Sequence, residues 1–295
     1  MNKVVFFLCI ALALSSCRHD MIDAPCNAEP EVVYINASIE SFPNVKNVTN
    51  DETFAVSWLS GDAINVFFGA SESSRFVTED SGDIAKFKGS IDVVTGGGEG
   101  LNDDTSLWGI YPYNENNICD GSYVTLTLPH IQDAAENTFA NGLYPQIARS
   151  WNFYMTFYNL CACMRFSVVN TDISSVTLSG NNNEVIAGKV KVSMEGKPLV
   201  DEVISGETKL TMYAPDNGYF KPGVHYYFVL FPQTFTKGLT ITYNKDNSSA
   251  SYVYSKNYTL ERSTTSRFKD RDAGLTFESR TLNNWEEGET IGGEI

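Results

Sequence analysis

The feature that most constrains this chain is a run of short segments rich in Val, Ile, Thr, Tyr and Phe, each bounded by Gly, Asn, Asp or Pro. Residues 32–41 place Val33, Ile35, Ala37 and Ile39 on one face of an extended strand, because successive side chains of a strand point to opposite sides. Residues 53–68 predict a hairpin: Phe54, Val56 and Trp58 share a face, the chain turns near Ser60, Gly61 and Asp62, and Ile64, Val66 and Phe68 resume. The stretch 123–129 alternates Tyr123, Thr125 and Thr127 against Val124, Leu126 and Leu128. Residues 153–170 form an aromatic, β-branched run, and further segments of the same kind follow to residue 282. Helix signals are scarce; the one short helical piece expected is 133–137, Asp-Ala-Ala-Glu-Asn. Many short strands with regular turn signals predict an all-β protein of sandwich type.

The N-terminus is read separately. Val4 to Leu14 is an apolar run preceded by Lys3, too short for the roughly 20 residues of a membrane-spanning helix and suited to the h-region of a secretory signal. Leu14-Ser15-Ser16-Cys17 resembles a bacterial lipobox. In that reading residues 1–16 are the signal, Cys17 becomes the lipidated first residue, and 17–30 is a linker. The other reading is an ordinary cleaved signal with a chance cysteine. Acyl chains, each buried CH2 contributing roughly 0.8 kcal/mol, then hold the protein on a membrane outside the cytoplasm.

Charge removes one class of partner. With 21 Lys and Arg against 36 Asp and Glu the net charge is −15, which excludes nucleic acid, whose phosphates need clustered cations. Of six cysteines, Cys26, Cys119, Cys161 and Cys163 remain after Cys9 and Cys17. Cys161 and Cys163 alternate within an expected strand, where they act as small core hydrophobes; a disulfide to Cys26 or Cys119 and a metal pair are the alternatives. The Gly- and Asp-rich stretch 92–105 lacks the Lys-Ser/Thr of a phosphate loop and the oxygen spacing of a calcium loop, so a hairpin connection is expected. The three histidines, His19, His130 and His225, are not at metal-ligand spacing, and no nucleophile elbow appears. The expectation is a protein that is not an enzyme and needs no cofactor. A change of character at 145–152 places a boundary between domains at 31–150 and 151–295.

Several elements in order resemble the Bacteroidetes fimbrillin-like family of pilus and surface lipoproteins. They are the lipobox at Cys17, the hairpin with Trp58, Gly61 and Asp62, and the Leu-Trp-Gly-Ile-Tyr-Pro-Tyr element with Tyr111, Pro112 and Tyr113. The segment closed by Gln132, the strand through Cys161 and Cys163, and the C-terminal Trp285 complete the set. The resemblance implies two tandem transthyretin-like, Greek-key β-sandwich domains with structural roles for these residues. Trp58 anchors the first core, Gly61-Asp62 reverses the chain, Pro112 suits a sheet edge or strand start, and Trp285 closes the second core. It also implies an outer-membrane, lipid-anchored location and fimbrial partners joined by donor-strand β-augmentation. In family stalk subunits the precursor is cut after its first strand, usually at an Arg. Here the loop 41–53 holds Lys46 and no Arg, and the next Arg after Arg18 is Arg75. The acidic, Gly-rich tail 286–295 has low β-propensity for a donor strand. An uncut anchor, accessory or tip component, or a free surface lipoprotein, is therefore expected. The rival is a glycan-binding surface lipoprotein of a polysaccharide-uptake system, with Trp108, Trp151 and the tyrosines of 250–260 stacking on sugars, and a host or bacterial surface glycan or protein as partner.

Overall fold

The computed structural model describes residues 31–40, 56–91 and 106–279. The signal segment, Cys17, Cys26, Phe54, the 92–105 connection and Trp285 lie outside these residues. In chain order the strands are β1 (Glu31–Ile39), β2 (Ala63–Phe68), β3 (Ser74–Thr78), β4 (Ile84–Ile91), β5 (Leu107–Tyr111), β6 (Ile118–Cys119), β7 (Val124–Leu128), β8 (Ile131–Ala135), β9 (Thr138–Phe139), β10 (Gln146–Ser150) and β11 (Tyr154–Asn159). There follow β12 (Ala162–Phe166), β13 (Ser175–Gly180), β14 (Ala187–Glu195), β15 (Lys197–Glu207), β16 (Lys209–Tyr213), β17 (Tyr226–Leu230), β18 (Gln233–Phe235), β19 (Leu239–Asn244), β20 (Ser248–Tyr254), β21 (Tyr258–Leu260), β22 (Thr265–Phe268) and β23 (Glu278–Ser279). Among the described residues one 3-10 turn, Pro215–Asn217, is the only helical piece, so the chain is all-β. The helix expected at 133–137 is a correction: Asp133 to Ala135 belong to β8, which pairs in parallel with β16. Pairing with a buried neighbour outweighs the helix propensity of two alanines.

Seven strands close on themselves in the order β1-β11-β10-β5-β2-β3-β4. Their inner faces hold one core, with Ile35, Ala37, Trp58, Ile64, Val66, Phe76, Phe87, Tyr111, Met155 and Phe157. Gly109 of β5 faces inward because a Cβ there would stand 2.6 Å from the Phe157 ring. The larger core lies among the remaining sheets, and the outer faces of β2, β5 and β10 reach into it through Phe67, Trp108, Ile110 and Ile147. β5 therefore buries both faces: Leu107 and Tyr111 point into the barrel, Trp108 and Ile110 out of it. This is why its sequence is continuously apolar rather than alternating.

The division expected at residue 150 does not separate the sheets. β7 pairs with β14, and β8 with β16, so residues from before 150 are built into sheets of the second half. The aromatic run 153–170, expected as one strand, is two. β11 belongs to the barrel, Leu160 and Cys161 cross over, and β12 joins β17 and β22 in the larger core. The crossing thus comes at about 160, where Asn159 and the residues after it are all buried, and no polar linker marks it. Cys119, Cys161 and Cys163 are buried free thiols. Burial pushes the Cys119 thiol up to about 11 and lifts those of Cys161 and Cys163 further, as expected for cysteines that pack rather than react.

Candidate functional site

β1 is apolar inward and polar outward, and it is held on both sides. On one side it runs antiparallel to β4, from Glu31 opposite Ile91 to Ser38 opposite Ile84. On the other it runs parallel to β11, from Asn36 opposite Tyr154 to Ile39 opposite Phe157. Backbone bonds Asn36 N–H to Phe153 O (2.8 Å) and Glu40 N–H to Phe157 O (2.9 Å) extend that ladder. Ile35 and Ala37 are fully enclosed. β1 is therefore the stave that closes the barrel.

The strand ends in a charged clasp. The Glu40 side chain is only 6 % exposed. The Arg262 guanidinium reaches both of its oxygens, at Oε1 through Nη1 and at Oε2 through Nη2 (3.1 Å). Lys197 Nζ donates to Oε2 at 2.8 Å, and the Asn159 backbone N–H donates to Oε1 at 2.7 Å. Arg262 Nη1 also bonds the Asn159 carbonyl (2.6 Å). Lys197 lies 3.9 Å from the Tyr158 ring centre. Burial acts to raise the Glu40 carboxyl, but Arg262, Lys197 and the Asn159 N–H together hold it below the ordinary carboxylate range. A bidentate Arg pair with further donors is the geometry that compensates a buried charge. Lys197 opens β15 and Arg262 follows β21, so the second half of the chain grips the end of the first strand.

The motif residues fall in two places. Trp58, Asp62 and Tyr111 meet at one end of the barrel. Trp58 is 1 % exposed and packs edge-on against Phe87, Tyr111 and Phe157 at 4.9, 5.3 and 5.2 Å. Among the described residues of the strand expected around it, from Val56 on, the pairing is a single bridge of Trp58 with Gly82, and β2 pairs with β3 and β5. Gly61 has φ +94°, the left-handed region that favours glycine. Asp62 accepts from the Leu59 backbone N–H at 2.8 Å and from the Tyr111 hydroxyl at 3.2 Å. Burial first, and the Asp62 charge second, push the Tyr111 phenol well up. Pro112 follows the end of β5, a strand paired on both sides, rather than marking a sheet edge. Tyr113 donates its N–H to the Ala63 carbonyl (2.8 Å) and carries Arg75 over its ring.

Gln132 stands apart from that group. Its amide Nε2 donates to Val229 O (2.6 Å) and its Oε1 accepts from Val229 N–H (3.0 Å). One side chain thus substitutes for a strand, stitching β8 to β17 across two sheets. Of the aromatics considered for sugar stacking, Trp108 is fully buried and Trp151 is 60 % exposed; Tyr252, Tyr254 and Tyr258 pack partly against the larger core. Sequence reasoning missed Glu40, Lys197 and Arg262. Their partnership spans 222 residues, and only the acid at the end of an alternating strand hints at it.

No family model matches the chain, and no curated protein matches it. Among solved structures it is similar to a proposed cell adhesion protein from Bacteroides ovatus, with 14 % identity, TM-score 0.47, and coverage of 85 % of this chain and 96 % of that one. It is similar to a second such protein, from Bacteroides uniformis, at 13 % identity and TM-score 0.45 over 84 % of this chain and 96 % of the other. The tip fimbrial protein Mfa3 from Porphyromonas gingivalis, with C-terminal truncation, aligns at 10 % identity and TM-score 0.38, over 85 % and 99 %.

Proposed function

We propose that this chain is a fimbrillin-like surface lipoprotein, a structural or adhesive component of a fimbria. It is of the anchor, accessory or tip type and keeps its first strand. It is tethered to the outer membrane through lipid on Cys17, meets other subunits by strand pairing, and performs no catalysis. The observation that carries the reading is the seat of β1. The strand is bonded to β4 along its length and to β11 over Asn36–Ile39, and is clasped at Glu40 by Arg262 and Lys197, and no Arg lies between it and Arg75 for an Arg-specific protease. A strand meant to be discarded has little use for a bidentate clasp from a distant loop. The test is N-terminal analysis of the mature protein from cells. A lipidated chain beginning at Cys17 is expected, and a chain beginning at or after residue 42 overturns the reading. Replacing Cys17 by Ser should release the protein from the membrane fraction.

A further inference from the structure

Among the described residues, one wall of the barrel is largely uncovered. The outer faces of β2, β5 and β10 are covered by the larger core, which also takes Tyr158 at the end of β11, whereas among the described residues the outward side chains of β3, β4, β1 and the start of β11 are at least partly exposed. On this open wall the register aligns rows of side chains. Tyr34 lies opposite Lys88, and Lys88 opposite Val77. Asn36 lies between Lys86 and Tyr154, and Ser38 between Ile84 and Thr156. Tyr154 is 72 % exposed and Tyr34 is 44 % exposed. Lys86 and Lys88 both project outward, two residues apart on one strand, about 7 Å, and Lys86 Nζ stands 4.2 Å above the Tyr34 ring centre. Among the described residues neither lysine forms an ion pair. The nearest turn carries Asp80, whose carboxylate is taken by the Lys86 backbone N–H (2.8 Å). In a chain of net charge −15 the wall itself presents two lysines, two tyrosines and hydroxyls, while Glu79, Asp80 and Asp83 lie in the turn at its edge.

We infer that this wall binds an anionic polysaccharide, a chain of sugars bearing carboxylates. The lysines match the acid groups, Tyr154 offers a stacking face, and Asn36 and the Ser38 and Thr156 hydroxyls, bonded to each other at 3.1 Å with capacity for one more partner each, offer amide and hydroxyl partners for sugar hydroxyls. A peptide strand finds little edge here: β1 is paired with β4 from Glu31 to Ser38 and with β11 from Asn36 to Ile39, so only the front of its β11 side is left to augment. Over the rest of the wall a ligand is held by side chains alone, on an open face rather than in a pocket, which suits a polymer. The inference rests on the adhesive reading above. It is tested on purified protein, so that its failure leaves the fimbrial role, judged from cells, untouched.

The experiment is affinity electrophoresis and titration with three probes: polygalacturonate, neutral dextran and poly-glutamate. Binding to polygalacturonate is expected, weakening as salt is raised, with no retardation by dextran. The double variant K86E/K88E should lose at least tenfold in affinity and Y154A several-fold, both with unfolding temperatures like that of the parent. Absence of polygalacturonate binding overturns the inference. So does equal binding to poly-glutamate, which would show that charge alone is read, or a K86Q/K88Q variant that folds and binds unchanged.

Discussion

At the scale of single residues, Glu40 is the most consequential side chain described. Replacing Arg262 by Met removes the bidentate partner and leaves Lys197 and the Asn159 N–H to hold the charge, and stability should fall by about 2 kcal/mol. The double variant E40Q/R262M should recover part of that loss, read as a coupling energy in a denaturant cycle. Acid should act through the same group. Its folded carboxyl is held below the ordinary range, so its contribution is complete above the unfolded value of roughly 4.3 and is lost as pH falls through the folded value. The unfolding temperature of the parent should therefore drop between about pH 5 and pH 3 more steeply than that of E40Q; equal slopes would remove Glu40 from the account. Gln132 makes a second case. Q132L leaves the Val229 N–H and C=O unpaired in a buried place and should cost about 3 kcal/mol, from one to three for each orphaned group. The pairing of Gln132 with Val229 could not be foreseen from the sequence, because a glutamine that mimics a strand looks like any loop glutamine.

At the scale of elements, β1 is the unit to manipulate. A chain starting after residue 40 should expose the edges of β4 and β11 and lose the folded barrel. A peptide of residues 31–40 added in trans should restore it, measured by tryptophan fluorescence of the enclosed Trp58. The same peptide with E40A should restore it at least tenfold less effectively; equal rescue would mean the clasp adds nothing to seating. Elements also show what was legible. β1, β7, β13 and β19 carry clean alternation and were visible because one face is buried and the other is not. β15 went unseen for the opposite reason: Asp201 to Gly206 are all exposed, and the pairing with β14 slips twice, near Lys189 and near Lys191. A strand without a buried face has no period to detect. Trp58 is enclosed in the barrel core while, among the described residues beside it, its backbone makes one bridge, since burial of a side chain does not require a ladder of its backbone.

At the scale of the whole molecule, the all-β class was readable from composition and turn spacing, while the partition was not. Strands of similar composition serve both cores, and the chain passes from barrel to the larger core at buried residues. Nothing polar, proline-rich or glycine-rich flags the passage. The two halves accordingly should not come apart. Residues 31–150 expressed alone lack the partners of β7 and β8 and should fail to fold. Limited proteolysis should find no preferred cut at 145–152, and unfolding should follow one transition by fluorescence and by circular dichroism. A stable fragment ending near 150 would show that the shared core is dispensable.

The parallel pairing of β1 with β11 has a mechanical meaning. On the proposed tether, load enters at the front of β1 and pulls lengthwise, so the ladders on both flanks resist together in shear instead of opening bond by bond. The Glu40 clasp sits at the far end of that strand, like a knot behind a hole, and the last thing a tug must break is an ion pair whose carboxylate is largely shielded from water.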